Sequence, residues 1–279
     1  MPDPHDPDAL AAASDAGDAG AAHRLAVLTA IGLGLPQDWR GALQRLSQAA
    51  ELGHSTADRQ LALLSSGSGV DMAAWLNPPT PRTLSQAPAI LVIDGFLPAA
   101  VCDWMKDRAG ALTEPALVYD PDTGEGRREG VRTNAAAQFA LDRMDVVLAV
   151  VRERIARAAG LPVPGLEWTQ VLHYTAGQTF DWHVDWLDPA LPGHAVDLAA
   201  RGQRIATCLV FLNDDFEGGE TAFEAGGLRH RGRKGDALLW ANTLPDGSVD
   251  RRTRHAGLPP TSGEKWVLSQ WLRGRGRNG

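Results

Sequence analysis

The spacing of apolar residues changes along the chain and divides the sequence into a helical part and a strand-rich part. In residues 142–159, Met144, Val147 and Val151 recur at helical intervals with Arg152 opposite them, which predicts an amphipathic helix. From residue 166 onward, short apolar runs alternate with Gly, Pro and Asn-Asp turns, which predicts strands. The predicted strands cover residues 90–93, 167–174, 180–186, 204–212, 220–223, 236–241 and 265–272. Helices followed by many short antiparallel strands predict an α+β fold, a jelly-roll with supporting helices.

The N-terminal part contains a weak internal period of 36 residues. Asp38 is placed to cap a helix that ends near Leu52, with Gly53 as its stop. The residues that repeat at this offset are Ala13 with Ala49, Gly17 with Gly53, Ala21 with Ala57, and Leu25-Ala-Val-Leu28 with Leu61-Ala-Leu-Leu64. We therefore predict a helical repeat region over residues 1–76, a stiff proline-rich linker over 77–88 and a second domain over 89–279.

Composition restricts the function only broadly. The formal net charge of −7 argues against general affinity for nucleic acid. Two cysteines form no disulfide framework and fit a reducing compartment, and no apolar run approaches the length of a membrane span. The start of the chain is acidic and lacks the basic and apolar parts of a secretion signal, so we expect a cytoplasmic protein without a membrane or nucleic-acid partner.

The strand-rich part carries residues that could bind a metal. His183 and Asp185 are two positions apart, so both side chains would project from one face of a predicted strand. With His255 from a distant strand they supply two imidazoles and a carboxylate, the ligand set of non-haem Fe(II) oxygenases, which leaves other metal positions open. Lys265 would add a positive charge for a dicarboxylate bound at the metal.

Two other histidines compete with His255 for the third position. His194 lies too near Asp185 to come from a separate strand, and His230 lies in the basic run Arg229-His-Arg-Gly-Arg-Lys, which is more typical of a solvated loop. Only three of the 27 basic residues are lysines, so a lysine ten residues after His255 stands out from the background.

Residues 89–273 resemble the prolyl 4-hydroxylase branch of the Fe(II)/2-oxoglutarate dioxygenases, whose fold is a double-stranded β-helix. The matching blocks are Val118-Tyr-Asp-Pro-Asp-Thr-Gly to Val131-Arg-Thr, Tyr174-Thr-Ala-Gly-Gln to His183-Val-Asp185, Gly202-Gln-Arg-Ile-Ala-Thr207-Cys-Leu-Val-Phe-Leu-Asn213, Glu217-Gly-Gly-Glu-Thr221, Lys234-Gly-Asp-Ala-Leu-Leu-Trp, Pro245-Asp-Gly-Ser, and His255 to Trp271. The N-terminal part is similar to the short tetratricopeptide-like repeats of the Sel-one-like family, with little more than one and a half repeats.

The resemblance implies roles for individual residues. His183, Asp185 and His255 would bind Fe(II), and Lys265 with Tyr174 would hold the distal carboxylate of 2-oxoglutarate. The residues with other implied roles are Thr207 as lining of the cosubstrate pocket, Arg204 as a peptide contact and Trp271 as a wall of the site. For Tyr174 and Thr207 packing inside the barrel is the alternative, and for Arg204 and Trp271 a surface salt bridge and a core aromatic.

The resemblance also places two mobile loops around the substrate, at residues 119–132 and 187–201. The sequence departs from the family at Asn134, where serine is usual, and at Arg273, where peptide-binding relatives have histidine. Trp182 and Trp186 make the surroundings of the iron bulkier than expected.

The function implied is hydroxylation of an unactivated C–H bond with O2, releasing succinate and CO2. The favoured substrate is a prolyl residue in a peptide or protein, with ascorbate as a further reductant. Asp185 favours hydroxylation, because related halogenases replace this carboxylate with a small residue. One alternative is the same chemistry on a free amino acid or natural-product scaffold. A more distant one is a non-catalytic binding protein whose helical repeats dock a protein partner.

Overall fold

The computed structural model describes residues 5–67, 69–119, 126–127 and 130–274. The chain divides into two compact units. The first, here called the helical unit, combines Met1–Pro78 with Leu141–Arg154, and the second, the sheet unit, combines Pro79–Ala140 with Ile155–Gly279. None of the described helices is both long enough and apolar enough to cross a membrane.

The helices carry the following labels. They are α1 (Pro7–Asp15), α2 (Ala19–Ile31), α3 (Trp39–Glu51), α4 (Ser55–Leu64), α5 (Met72–Leu76), α6 (Ala99–Gly110), α7 (Val146–Ala159) and α8 (Pro192–Arg201).

The helical unit is built from helices that pack in sequence order, α1 on α2, α2 on α3 and α3 on α4. Asp18 and Asp38 accept hydrogen bonds from the first backbone amides of α2 and α3, so the predicted cap at Asp38 is confirmed. Gly32 ends α2 in the left-handed conformation that glycine adopts without strain. α2 and α4 begin 36 residues apart, in agreement with the internal period.

The start of α7 belongs to the helical unit. Gln60 of α4 is fully buried, and its Oε1 accepts a hydrogen bond of 3.0 Å from the backbone N–H of Val146. Arg154, two turns further along α7, donates to the backbone carbonyls of Ala74 and Trp75. The predicted helix at residues 142–159 is confirmed with a slightly later start, and it contributes residues to both units.

The strands are short. They are β1 (Arg82–Gln86), β2 (Ala89–Ile93), β3 (Glu114–Pro115), β4 (Val118–Tyr119), β5 (Gly126–Arg127), β6 (Ala135–Phe139), β7 (Thr169–Tyr174), β8 (Phe180–His183), β9 (Arg204–Phe211), β10 (Glu217–Gly218), β11 (Thr221–Phe223), β12 (Arg229–His230), β13 (Ala237–Ala241), β14 (His255–Gly257), β15 (Pro260–Ser262) and β16 (Lys265–Arg273).

The strands form two larger antiparallel sheets. The major sheet has eight strands in the order β1-β2-β13-β9-β16-β7-β6-β3, and the minor sheet has four in the order β12-β11-β14-β8. Two further pairs, β10 with β15 and β4 with β5, complete the described pairing. Buried residues of both sheets form an apolar core: Ile90, Val92, Leu209, Phe211, Phe223, Leu238, Trp240 and Val267. Antiparallel sheets with attached helices agree with the α+β prediction and are consistent with a jelly-roll.

Three local predictions differ from the structure. The predicted linker at residues 77–88 contains β1, which pairs with β2 at the edge of the major sheet. The predicted loop at residues 187–201 contains α8, and Gln203 braces the chain before it by bonding both the N–H and the C=O of Leu187, each at 2.8 Å. The predicted strand at 180–186 ends at His183. The other predicted loop, 119–132, falls largely outside the described residues.

Candidate iron and 2-oxoglutarate site

A cavity lies between the major and minor sheets. The major sheet contributes Tyr174, Thr207, Trp240, Lys265 and Trp271, and the minor sheet contributes Phe180, His183, Thr221 and His255. Asp185 and Arg132 also line it. Residues that are far apart in sequence are thus collected around one space by strand pairing.

The predicted metal ligands meet in this cavity. His183 and His255 are direct partners in the β8–β14 pair, and their ring centroids lie 4.2 Å apart. The distance from Asp185 to each imidazole Nε2 is 3.7 Å, measured from Oδ1 to His183 and from Oδ2 to His255. Among the described residues, this is the group of histidine, cysteine and acidic side chains that could hold a metal ion. The choice of His255 agrees with this geometry.

Asp185 reaches the site in a way the sequence did not predict. It lies two residues beyond the end of β8, not on the strand with His183. Between the His183–His255 and Phe180–Gly257 pairs, Asp181 and Trp182 face the single residue Ala256, so β8 contains a bulge. The alternation assumed between His183 and Asp185 therefore does not hold, because the strand ends at His183 and the segment after it places the carboxylate. The bulge acts on the other side of His183, where it sets this residue opposite His255.

Backbone carbonyls fix the orientation of both imidazoles. His183 Nδ1 lies 2.7 Å from the carbonyl of Asp181, and His255 Nδ1 lies 2.9 Å from the carbonyl of Thr253. A carbonyl only accepts, so each Nδ1 must carry the proton, and each Nε2 presents a lone pair to the centre of the group. Burial, followed by the nearby His255, lowers the pKa of His183 to about 3, which keeps this ring neutral as a metal ligand requires.

Asp185 is held by a chain of hydrogen bonds. Thr207 Oγ1 donates to Asp185 Oδ2 at 2.7 Å, and Asn242 Nδ2 donates to Thr207 Oγ1 at 2.9 Å. Burial alone would raise the pKa of Asp185, but His255, His183 and the Thr207 hydroxyl outweigh it and hold the pKa below its usual value. The carboxylate is therefore ionised. The structure gives Thr207 a contact with the metal group that was not foreseen, as well as a place in the cavity lining.

The other end of the cavity contains donors without acceptors. Lys265 is only 2% exposed, and among the described residues no carboxylate forms an ion pair with it. Burial lowers its pKa to about 8, against a smaller opposing effect of Glu220, so it is charged at neutral pH. Tyr174 pairs with Lys265 across the strands, and burial raises the pKa of its phenol to about 12, which keeps it protonated as a donor. An anion fits between such groups.

Thr221 is a polar residue of this end that was singled out only as part of a sequence block. Its Oγ1 is buried without a hydrogen-bond partner, and it lies on β11 opposite Gly257, whose missing side chain leaves space beside the Tyr174 hydroxyl. The Trp240 Nε1 is likewise buried and unpartnered. Orphaned buried donors are rare in proteins, and at a cavity wall they indicate a bound ligand. A sequence gives no sign of this property.

Arg204 and Trp271 occupy one wall but are not equivalent. Trp271 lines the cavity, whereas the Arg204 guanidinium stacks on the Trp271 ring at 3.6 Å and pairs with Glu167 at 2.6 and 3.0 Å. Arg204 also reaches the backbone carbonyl of Asp185 at 3.5 Å. The same Glu167 carboxylate pairs with Arg273. Arg204 is therefore held inside the protein, and its predicted contact with a peptide stays a prediction.

The competing histidines lie elsewhere. His194 Nδ1 accepts a hydrogen bond of 3.0 Å from the backbone N–H of Asp188 and supports the turn before α8. His230 lies on β12 and borders a different surface cavity together with Arg82 and Asp94.

Comparisons with known proteins agree with this geometry. A family model described as the 2OG-Fe(II) oxygenase superfamily matches residues 169–273, the stretch that holds the metal group and Lys265. Prolyl 4-hydroxylase 1 of Arabidopsis thaliana is 32% identical over 207 residues, which cover 69% of this chain and 71% of the relative. The chain belongs to the prolyl 4-hydroxylase family of 2OG-Fe(II) oxygenases.

Other relatives of this oxygenase extend the comparison. Prolyl 4-hydroxylase 2 of Arabidopsis thaliana is 29% identical over 231 residues, covering 75% of this chain and 74% of the relative. A Trichoplax adhaerens prolyl hydroxylase, solved with a hypoxia inducible factor peptide fragment, superimposes with a TM-score of 0.51 at 14% identity and covers 67% of this chain and 84% of that one. The latter similarity concerns the fold alone. The cofactors of the family are Fe(II) and 2-oxoglutarate, and the donor set of the cavity fits both.

Proposed function

We propose that this oxygenase hydroxylates a prolyl residue in a peptide or protein. The observation that carries the proposal is one cavity that combines the His183, Asp185 and His255 group with the buried Lys265, which forms no ion pair with a carboxylate of the described residues. The two Arabidopsis thaliana relatives, both named prolyl 4-hydroxylases, support the prolyl substrate.

We assign roles to the cavity residues as follows. His183 Nε2, His255 Nε2 and an Asp185 oxygen hold Fe(II), and Thr207 orients the carboxylate for this task. Lys265, Tyr174 and Thr221 donate to the distal carboxylate of 2-oxoglutarate. When bound, iron and 2-oxoglutarate supply the oxidation of a C–H bond by O2, with release of succinate and CO2. The protein positions the substrate carbon and excludes water from the buried cavity.

Apolar side chains beside the cavity support a peptide over a free amino acid. Leu117, Val131 and Trp182 are 49%, 43% and 37% exposed, and exposed apolar residues call for an explanation when they lie together. They share one neighbourhood, because Arg132 donates to the Leu117 carbonyl and the Asp181 N–H donates to the Val131 carbonyl. A peptide extends beyond the reacting residue and could cover such a surface, whereas a free amino acid could not.

The finer architecture is part of the same proposal. We assign the two antiparallel sheets to a double-stranded β-helix, supported by the family membership. We also assign α1 to α4 to Sel-one-like repeats, supported by the 36-residue offset of α2 and α4, and propose that they dock a protein partner.

The function is tested by incubating the purified protein with Fe(II), 2-oxoglutarate, ascorbate and proline-containing peptides in air. We expect succinate formation and a peptide product heavier by one oxygen at proline, and neither with His183→Ala. Succinate formation without oxygen incorporation into any peptide, but with incorporation into a free amino acid, would favour the small-molecule alternative. Absence of 2-oxoglutarate turnover with intact metal binding would contradict the proposal altogether.

A further inference from the structure

Arg132 is a second cation of the cavity that the assigned roles do not use. It is 8% exposed, lines the cavity and lies over the Phe180 ring at 4.5 Å. Phe180 in turn stacks on the metal-ligand ring of His183 at 3.5 Å. The guanidinium is thus separated from an iron ligand by a single aromatic ring.

The partners of Arg132 within the protein are neutral. Its Nε donates to Asn134 Oδ1 at 3.2 Å and its Nη1 to the Leu117 carbonyl at 2.9 Å. Among the described residues, no carboxylate forms an ion pair with Arg132, and its recorded hydrogen bonds use Nε and Nη1 but not the two N–H groups of Nη2. Asn134, one of the departures from the family pattern, is itself fixed because its Nδ2 donates to the Ala135 carbonyl at 2.7 Å. Arg132 is therefore held in place, but only part of its hydrogen-bonding capacity is used by the described residues.

The charge balance of the cavity indicates which kind of group could bind Arg132. A buried charge without a counter-ion is unfavourable, so buried arginines in proteins are normally paired. In the loaded site, Fe(II) and Lys265 balance Asp185 and the two carboxylates of 2-oxoglutarate. Arg132 is then the one positive charge of the described cavity lining that remains uncompensated. A neutral prolyl residue would not compensate the charge of Arg132.

We propose that Arg132 binds a carboxylate of the substrate, supplied by an acidic side chain next to the reacting proline or by a chain terminus at that proline. A guanidinium recognises a carboxylate in a planar, directional arrangement, so Arg132 would both select such substrates and orient the reacting ring. This inference rests on the proposed prolyl substrate and adds that the substrate carries a carboxylate at or next to the reacting proline.

Matched peptides test the inference directly. One pair differs only in Asp or Asn beside the proline, and the other ends in proline as the free acid or the amide. We expect at least one carboxylate peptide to exceed its carboxamide partner in kcat/KM by about ten- to a hundred-fold, as charge-assisted hydrogen bonds imply. Arg132→Gln should abolish the preference, while the KM for 2-oxoglutarate stays within about two-fold. Arg132→Lys should retain part of it, since the charge remains and the planar geometry is lost.

A binding measurement separates this inference from the proposed function. N-acetylproline and N-acetylprolinamide are titrated without oxygen against protein loaded with Mn(II) and 2-oxoglutarate. Tighter binding of the acid, lost in Arg132→Gln, supports the carboxylate site even if no peptide is hydroxylated, in which case the proposed substrate alone is wrong. Equal binding of acid and amide, together with equal turnover of both peptide pairs, overturns the inference and leaves prolyl hydroxylation intact. A rise in the KM for 2-oxoglutarate in Arg132→Gln equal to the lost preference would also overturn it, because Arg132 would then serve the cosubstrate.

Arg154 offers a matched control for the loss of a buried arginine. It too is buried, donates to backbone carbonyls and lies over an aromatic ring, that of Trp75 at 5.7 Å. Arg154→Gln should lower stability but keep the preference for carboxylate peptides. Loss of the preference in this variant as well would attribute the effect to general destabilisation and overturn the assignment.

Discussion

The helical unit and the cavity of the sheet unit both bury polar side chains, but they complete the hydrogen bonds of those side chains differently. In the helical unit, Gln60 and Arg154 bond to backbone groups of their own unit. In the cavity, the Thr221 Oγ1 is buried without a hydrogen-bond partner, and no carboxylate in the described part of the chain forms an ion pair with the buried Lys265. Buried polar groups of the first kind stabilise a fold, whereas those of the second kind lower its stability until a ligand binds. At the cavity wall, unpartnered groups therefore mark places that a ligand could complete, whereas the equally unpartnered Ser14 Oγ and His230 Nε2 lie outside that wall.

The largest effect should come from the metal ligands. Replacing His183, Asp185 or His255 with Ala should reduce 2-oxoglutarate turnover by about a thousand-fold or more, because each removes a ligand from the iron. Succinate release measured by mass spectrometry checks this. His230→Ala is the control, since its Nε2 is also buried without a partner but lies outside the metal group. Loss of turnover in a folded His230→Ala variant, with turnover kept in His255→Ala, would overturn the choice of His255 as the third ligand.

The next effect concerns the cosubstrate. Lys265→Ala should raise the apparent dissociation constant of 2-oxoglutarate by about ten- to a hundred-fold, with little change in metal affinity. Lys265→Arg should recover only part of the loss, because the stem of Lys265 packs near Gly219, where even a Cβ would lie 3.4 Å from its Cδ. Anaerobic titration with Mn(II) in place of iron measures both. Unchanged affinity in Lys265→Ala would place the distal carboxylate elsewhere.

Stability should shift in opposite directions in the two regions. Gln60→Leu leaves the Val146 N–H without its acceptor and should lower the free energy of unfolding by about 1–3 kcal/mol. Lys265→Met removes an unpaired buried charge and should raise the free energy of unfolding of the ligand-free protein by about 1–3 kcal/mol. Urea unfolding of both variants tests the contrast. If Lys265→Met is also destabilising, the distinction between the two kinds of buried polar group fails here.

The smallest effect is a pH dependence. Because the pKa of Lys265 is lowered to about 8 in the folded protein, the unfolded chain binds more protons between about pH 8 and 10.5, so this group makes stability rise with pH in that window. Binding of 2-oxoglutarate has the opposite sign, since a dianion requires the charged lysine. Its affinity should fall above pH 8, by up to about ten-fold per pH unit. Titrations of 2-oxoglutarate at pH 7 to 9.5 would show this decline in affinity. The Lys265→Arg variant should show no decline, because arginine stays charged over this pH range.

The helices and strands with a clear period could be predicted from the sequence, and so could the metal ligands. The amphipathic pattern of α7 and the apolar run of β16 depend on local residues. His255 and Lys265 lie ten residues apart in sequence, on β14 of the minor sheet and β16 of the major sheet. β1 was missed because its polar residues and flanking prolines resemble a linker, and its strand pairing is supplied by β2. α8 was missed because the proline and glycine at its start were taken as signs of a loop, although proline is common in the first turn of a helix. Part of its support also comes from outside the helix, since Arg273 pairs with Asp197.

The role of Arg204 could not be predicted for a similar reason. Its partner Glu167 lies 37 positions away, and only the meeting of β7, β9 and β16 brings the two charges together. The unpartnered state of the Thr221 hydroxyl is likewise a property of three-dimensional packing. A sequence shows which donors a chain carries, but not which of them remain without acceptors after folding.

The bulge in β8 makes the two strands of the histidine pair unequal in their tolerance of one-residue deletions. Asp181 and Trp182 together face Ala256, so β8 has one residue more than β14 between the His183–His255 and Phe180–Gly257 pairs. Deleting Trp182 would remove the bulge and leave a regular ladder that keeps both pairs and the His-x-Asp spacing. Deleting Ala256 instead would shift the regular β11–β14 ladder by one position, so that the residues on one side of the deletion change face. In an evolving gene, an in-frame loss of one codon is therefore expected to be more damaging in β14 than in β8, although the His-x-Asp motif is intact in both cases.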